Sequence, residues 1–152
     1  MIEIRRVSWK EARTDLLNVR HAVFVVEQGV PEEIEEDEYD EVSKHLLALD
    51  GYGNAIGTAR LLPSGQIGRV AVHSSMRRKG IGSALMKEMI RVWIEESQVE
   101  PQSRSELSLH AQVTSIPFYE SLGFVAFGPE FEEAGIPHRM MTLTPRSAGS
   151  SS

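Results

Sequence analysis

The sequence predicts an α/β domain of the α+β kind, with a mixed, largely antiparallel sheet of six to seven strands flanked by about four helices. Three observations predict it. Short apolar segments alternate with Gly- and Pro-rich turns from His45 to Val72; apolar residues recur at helical spacing on either side of that stretch; and one strand runs into a basic, glycine-containing loop that opens a helix. At 152 residues, with 41% hydrophobic and 25% charged residues, the chain has the size and composition of one domain with its own core. That single domain is expected over residues 1–145, with 146–152, ending in SAGSSS, as a disordered tail.

Ile2, Ile4 and Val7 alternate as a short strand does, and from Lys10 the period becomes helical through Leu16, Val19, Val23 and Val26. Gln28 to Val42 holds Gly29, Pro31 and eight acids within ten residues: Glu32, Glu33, Glu35, Glu36, Asp37, Glu38, Asp40 and Glu41. It is too polar and self-repelling for a packed element and reads as a long loop with at most a helical turn. HLLALD, AIGTARLL and IGRVAV follow, separated by turns at Gly51-Tyr52-Gly53-Asn54 and Pro63-Ser64-Gly65-Gln66, which makes a three-stranded antiparallel meander. Ile81, Leu85, Met89 and Val92 mark a helix as far as Ser97, and a polar linker with Pro101 leads to the strand ELSLHA. A short helix from Ile116 to Ser121 stops at Gly123. Phe124 to Phe127 and His138 to Leu143 then read as the last two strands, joined by a loop containing Gly128, Pro129, Gly135 and Pro137.

The formal charge of −6 argues against a general polyanion binder, but the acidity is local: outside residues 32–41, sixteen cations face fourteen acids. The lone basic cluster is short and lacks interleaved aromatics, so no nucleic-acid partner is expected. The absence of Cys excludes disulfides, thiolate zinc sites and a cysteine nucleophile, and fits a reducing compartment. MIEIRRVSWKEAR carries charges where a signal peptide needs an apolar stretch, and the run Ala22 to Val26 is far too short to span a bilayer. The expectation is a soluble, cytoplasmic protein with no membrane partner.

The segment richest in chemistry is Ile67 to Leu85: an apolar strand, three cations at Arg77-Arg78-Lys79, then Gly80-Ile81-Gly82-Ser83 opening a helix. Helix N-termini present unpaired N–H groups and partial positive charge, and glycine lets a phosphate approach the backbone. A P-loop is ruled out because isoleucine follows Gly80, and a dinucleotide fingerprint because position 85 is Leu. A glycine pair alone is equally an ordinary helix start.

VAVHSSMRRKGIGSALM, through Arg77, Gly80 and Gly82, resembles the acetyl-CoA-binding signature of the GNAT superfamily of N-acetyltransferases, and SIPFYESLGF resembles that family's second landmark. VRHAVFVVEQGVP, KHLLALDGYGNAIGTARLL and EEAGIPHRMM are similar to the bacterial ElaA/YjcF-like branch, so the likeness covers nearly the whole chain. It implies the GNAT fold and an acetyl-CoA-dependent transfer of acetyl to a primary amine, by direct attack on the thioester and with no metal. The backbone of Val70, Ala71 and Val72 would pair with the pantetheine arm. The amides from Arg78 through Lys79, Gly80, Ile81 and Gly82 to Ser83 would hold the pyrophosphate, with charge from Arg77, Arg78 or Lys79. Plain strand core is the other reading of Val70 to Val72, and alternate side chains allow both.

The resemblance assigns Tyr119 as the acid that protonates the departing thiolate, since a phenol of reference pKa about 10 is protonated at neutral pH. Simple packing beside Phe118 is the alternative. The Val72 N–H would polarise the acetyl carbonyl. Many relatives carry a glutamate on the fourth strand where this chain has Gly68, which leaves Glu27, His45 and His110 as candidate bases, each also readable as structural. Gln112 stands where relatives commonly have Asn and would bond cofactor or backbone; His138 and Arg139 would line the acceptor cleft. The eight acids would either draw in a cationic acceptor, small molecule or peptide, or simply keep the protein soluble. A homodimer is common in the family, and a non-catalytic CoA-sensing or partner-binding module is the competing function.

Overall fold

A computed structural model describes residues 2–32, 36–99 and 106–144. The acids Glu33 and Glu35, the linker with Pro101 and the 146–152 tail lie outside them.

The chain begins with β1 (Glu3–Val7) and α1 (Trp9–Arg20), whose helical path continues in π geometry over His21–Glu27. A capping box starts α1: the Glu11 N–H donates to Ser8 Oγ at 3.2 Å and the Ser8 N–H donates to Glu11 Oε1 at 2.7 Å, an arrangement worth ~1 kcal/mol. The expected meander follows as β2 (Lys44–Leu49), β3 (Ala55–Leu61) and β4 (Gln66–Val72), then α2 (Ile81–Val99), β5 (Leu107–Gln112), α3 (Ile116–Ser121), β6 (Val125–Glu133) and β7 (Ile136–Leu143). Three α-helices are thus present among the described residues, against about four expected.

Seven strands form one mixed sheet in the order β1-β2-β3-β4-β5-β7-β6, in which only β4 and β5 run parallel. HLLALD is continuously apolar because β2 is buried on both faces. Leu46 and Ala48 pack with Leu85, Met86, Met89 and Trp93 of α2, while Leu47 and Leu49 pack with Trp9, Ala12 and Leu16 of α1.

The last hairpin differs from the expected pair of short strands. β6 runs on to Glu133, and β7 begins at Ile136 with Pro137 inside it, opposite Glu132. Gly128, at φ +75°, lies within an irregularity between Phe127 and Phe131 rather than in a loop, and Ala134 and Gly135, at φ 55° and 77°, form the two-residue turn. Two successive positive φ angles give the twist that suits a tight hairpin, so the glycines and prolines that suggested a loop are a bulge and a turn inside a ladder.

The feature that positions the site lies between β4 and β5. They pair only at Gln66–Ser108 and Ile67–Leu109. Beyond Ile67, β4 bulges: Arg60 lies opposite Gly68 and Thr58 opposite Ala71, so Arg69 and Val70 together face Ala59. Arg69 takes φ 51°, and Thr58 Oγ1 pins the bulge by donating to the Arg69 carbonyl at 2.8 Å. β5 meanwhile stays paired with β7 as far as Gln112–His138. The two parallel strands therefore part, and the edges after Ile67 and Leu109 face each other across a gap.

Candidate active site

The gap opens into a cavity of about 830 Å³ whose walls include Val70 to Val72, Arg77, Tyr119 and His110. A second cavity, of about 700 Å³, lies between β1, β2 and the C-terminal part of α2. Its walls carry mutually satisfied ion pairs, Arg6–Glu95 at 2.8 Å and Lys44–Glu96 at 3.0 Å, and of the three candidate bases only His45. Val70 to Val72, Arg77, His110, Gln112 and Tyr119 line the first.

Arg77 lines that cavity, whereas Arg78 to Ser83, the loop and first turn that open α2, follow it in the chain and are not among the walls. The first i→i−4 bond of the helix runs from the Ala84 N–H to the Gly80 carbonyl at 3.0 Å, so the amides of Ile81, Gly82 and Ser83 precede the ladder. Gly80 sits at φ +78°, which a side chain would strain, and a Cβ on Gly82 would come within 3.5 Å of Phe118 and 3.9 Å of Val72. Glycine therefore gives the loop its turn at one position and its open approach at the other. Arg78 and Lys79 are exposed, with no ion pair among the described residues. Arg77 is placed differently from its two neighbours: its Nε donates to the Val72 carbonyl at 3.1 Å and its two terminal nitrogens grip Glu27 as a fork. That hydrogen bond holds the Glu27 carboxyl below its usual pKa.

Tyr119 packs edge-on to Phe118 and Phe124, with ring centroids at 5.0 and 6.1 Å, and burial pushes its phenol up to about 12. Across the gap, His110 continues the parallel register one step beyond Leu109, opposite Gly68, and a Cβ on Gly68 would meet nothing within 4 Å. His110 Nδ1 lies 2.8 Å from Glu133 Oε1. A carboxylate there accepts from Nδ1–H, which leaves the lone pair on Nε2. Phe131 meets the His110 ring edge-on at 5.1 Å and stacks on His138 at 5.9 Å. His138 also lines the cavity, Arg139 donates instead to the Gly128 carbonyl, and Gln112 Nε2 donates to Gln28 Oε1 at 3.1 Å. His45 stays outside the cavity, buried with Nε2 2.8 Å from the Asp40 carbonyl oxygen and its pKa pulled down by desolvation.

Of the described acids of 32–41, Glu32, Glu38 and Glu41 are exposed, whereas Glu36, Asp37 and Asp40 are held by arginines. Asp40 is fully buried against fully buried Arg20, 3.0 Å from its Nη1, and accepts from Arg60 Nη1 at 3.1 Å. Asp37 accepts from Arg60 at 2.7 Å and from Arg69 at 3.2 Å, and Glu36 pairs with Arg13. Burial pushes the Asp37 carboxyl up, but the Arg60 hydrogen bond and the Arg60 and Arg69 charges outweigh it and leave it below its usual range. Sequence reasoning missed this network and missed Glu133. One signal was available for each: Arg20 interrupts the apolar stripe Leu16, Val19, Val23 at a core-facing position, and Ala134-Gly135 sits between two strand-like runs.

Residues 10–145 match the model of the acetyltransferase (GNAT) domain. The chain belongs to the GNAT family. It is 35% identical to the uncharacterised N-acetyltransferase YjcF of Bacillus subtilis over 87% of this chain and 92% of that protein. It is 34% identical to the protein ElaA of Escherichia coli over 81% of each. The crystal structure of Escherichia coli ElaA superposes with a TM-score of 0.78 at 30% identity, covering 93% of this chain and 99% of that one. An acyl-CoA N-acyltransferase from Pseudomonas aeruginosa gives 0.75 at 31%, covering 93% and 97%. This GNAT chain lies in the ElaA/YjcF-like branch and is an acyltransferase, of a family that uses acyl-CoA donors. No helix among its described residues is long and apolar enough to cross a membrane.

Proposed function

We propose that this acyltransferase moves an acetyl group from acetyl-CoA to a primary amine by direct attack of the amine nitrogen on the thioester carbon. The observation that carries the reading is the parting of β4 from β5, which leaves a strand edge leading to the opening turn of α2. The donor supplies the activated acyl group. Val70 to Val72 would receive its pantetheine arm as an added strand, and the amides from Arg78 to Ser83, with the Arg78 and Lys79 charges, its pyrophosphate. The Val72 N–H would polarise the carbonyl as negative charge grows on its oxygen. The amine nitrogen forms its bond to carbon, the carbon–sulfur bond breaks, and the nitrogen loses a proton as the sulfur gains one.

His110 is the favoured acceptor of that proton. Its Nε2 lone pair is fixed by the Glu133 carboxylate on the other nitrogen, and it stands opposite the space left by Gly68. Glu27 is a weaker base because Arg77 holds its carboxylate. Tyr119 donates to sulfur: a phenol near 12 stays protonated until the thiolate departs. Gln112, whose Nε2 donates to Gln28, would bond the donor arm.

The test is free-thiol release from acetyl-CoA across an amine panel. Tyr119→Phe is expected to lower kcat about 100-fold while leaving the Kd for CoA unchanged. Release no faster than in buffer, with CoA still bound, would instead establish a CoA-sensing module; equal turnover in the mutant would remove Tyr119 from the mechanism.

A further inference from the structure

At its C-terminal end β4 has lost its neighbour on the β5 side, and one side chain stands in for it. The His73 N–H donates to the Ile56 carbonyl of β3 at 2.8 Å, and one step earlier Val72 lies opposite Gly57. Successive residues of a strand turn their polar groups to opposite edges, so the N–H and C=O of Val72 both point away from β3 and into the gap. There the Val72 carbonyl accepts from Arg77 Nε at 3.1 Å. The two terminal nitrogens of the same guanidinium hold the two oxygens of Glu27 as a fork, so each of its three nitrogens is engaged. Glu27 is the last residue of the π-helical stretch His21–Glu27, which closes with the Gln28 N–H donating to the Val23 carbonyl at 3.1 Å, and Val23 packs on Ala71. The continuation of α1 is therefore fastened to two successive residues of β4, to Ala71 by apolar contact and to Val72 through the Arg77–Glu27 pair.

We propose that Arg77 and Glu27 are positioning residues for acyl transfer: their clasp holds the Val72 carbonyl so that the N–H of the same residue keeps its direction toward the thioester oxygen. The inference rests on the acetyl-transfer reading above, which gives the Val72 N–H that role. Val72 is the last residue of β4, and the pairing with β5 has already ended at Ile67–Leu109. A strand end without a ladder bond can rock, whereas a donor that meets charge as it develops is effective only when it is already in place. The clasp replaces the missing bond; it takes the carbonyl and leaves the N–H to the ligand. It also separates Arg77 from Arg78 and Lys79, because the charge of Arg77 is balanced by Glu27 while theirs stays open to a pyrophosphate. Glu27, with both oxygens held, is a tether rather than a base. The two side chains are 41% and 37% exposed, so the pair adds little to stability, and its effect lies in geometry.

Infrared spectra of bound acetyl-CoA, isotope-labelled at the carbonyl carbon, read the Val72 hydrogen bond without any acceptor amine. In the unmodified chain the thioester C=O band should lie at lower wavenumber than in buffer. Glu27→Gln and Arg77→Gln should each move it back toward the buffer value, and the double variant no further, since both break the same clasp. With the amine that releases thiol fastest, kcat should fall about tenfold in all three variants, while the Kd for CoA changes by less than about twofold and an unchanged melting temperature checks the fold. Arg77→Lys keeps the charge but not the planar fork, and kcat should stay low in it. A loss of turnover confined to Glu27→Gln overturns the proposal and makes Glu27 the base. Opposite effects on CoA binding, weaker in Arg77→Gln and tighter in Glu27→Gln, overturn it too and make Arg77 a phosphate ligand restrained by Glu27. Should no amine release thiol, the band still decides. A band that does not shift on binding to the unmodified chain defeats the Val72 assignment of the transfer reading and the clasp with it, whereas a shift that survives both single variants defeats the clasp alone.

Discussion

The two charged segments that flank the cleft are built on opposite principles. Around Asp37 and Asp40 the charge is internal: the carboxylates are counter-ions for Arg20, Arg60 and Arg69, and Asp40 and Arg20 have no exposed side-chain surface. Around Arg78 and Lys79 the charge stays at the surface, beside helix amides that precede the first hydrogen bond of α2. The first arrangement ties the segment before β2 to the sheet, where low local dielectric makes a missing partner costly. The second is free to change partners, as a site for an anionic donor must be. A cluster of like charges thus signals attraction of a ligand only when the fold has not already supplied its counter-ions.

Breaking the internal arrangement should have the largest effect. Asp40→Asn leaves Arg20 buried without its carboxylate and is expected to lower the unfolding free energy by about 3–5 kcal/mol, read by urea denaturation. A loss under about 1 kcal/mol would show that the pair does not act as a desolvated unit. On the other segment, Gly82→Trp fills the approach beside Phe118 and Val72; the Kd for CoA should rise about 100-fold, or ~2.8 kcal/mol, while unfolding remains cooperative. Unchanged affinity in calorimetry would remove the loop from donor binding. Replacing both Arg78 and Lys79 by Ala should alter stability by less than about 0.5 kcal/mol, yet weaken CoA and flatten the salt dependence of its binding.

The mildest test is pH. Burial lowers the folded pKa of His45 below its ordinary 6.5, so the unfolded chain binds the proton more readily. The stability this contributes is fully present above about pH 6.5 and is lost as pH falls through the lower folded value. The Asp37 pKa is also lowered, so its contribution disappears further down, as pH drops below 3.8 and through its folded value. His45→Gln should flatten the first limb and leave the second. A first limb that persists in the mutant would assign it to another group.

The elements were legible where the chain announces them locally. HLLALD, AIGTARLL and IGRVAV became β2, β3 and β4, and Ile81, Leu85 and Met89 became the buried face of α2, because apolar period follows from the geometry of strand and helix alone. The glycine loop was legible for a similar reason: Gly80 and Gly82 meet local demands of a turn and a helix start. Glu133 was not, because Gly128 and Pro137 signal turns equally well in a loop or in an irregular ladder, and pairing with β7 decided between them.

Taken alone, the sequence determined the order of strands and helices, the helix that opens on a basic glycine loop, and through its motifs the family. Tertiary structure decided which charges became counter-ions, which of the exposed Arg77, Arg78 and Lys79 took a carboxylate partner, and which imidazole received one. The reason is physical. Periodicity and turn chemistry act between neighbours in the chain, whereas Arg20 with Asp40, Arg69 with Asp37, Arg77 with Glu27 and His110 with Glu133 are separated by 20 to 50 residues and meet only when the sheet brings them together.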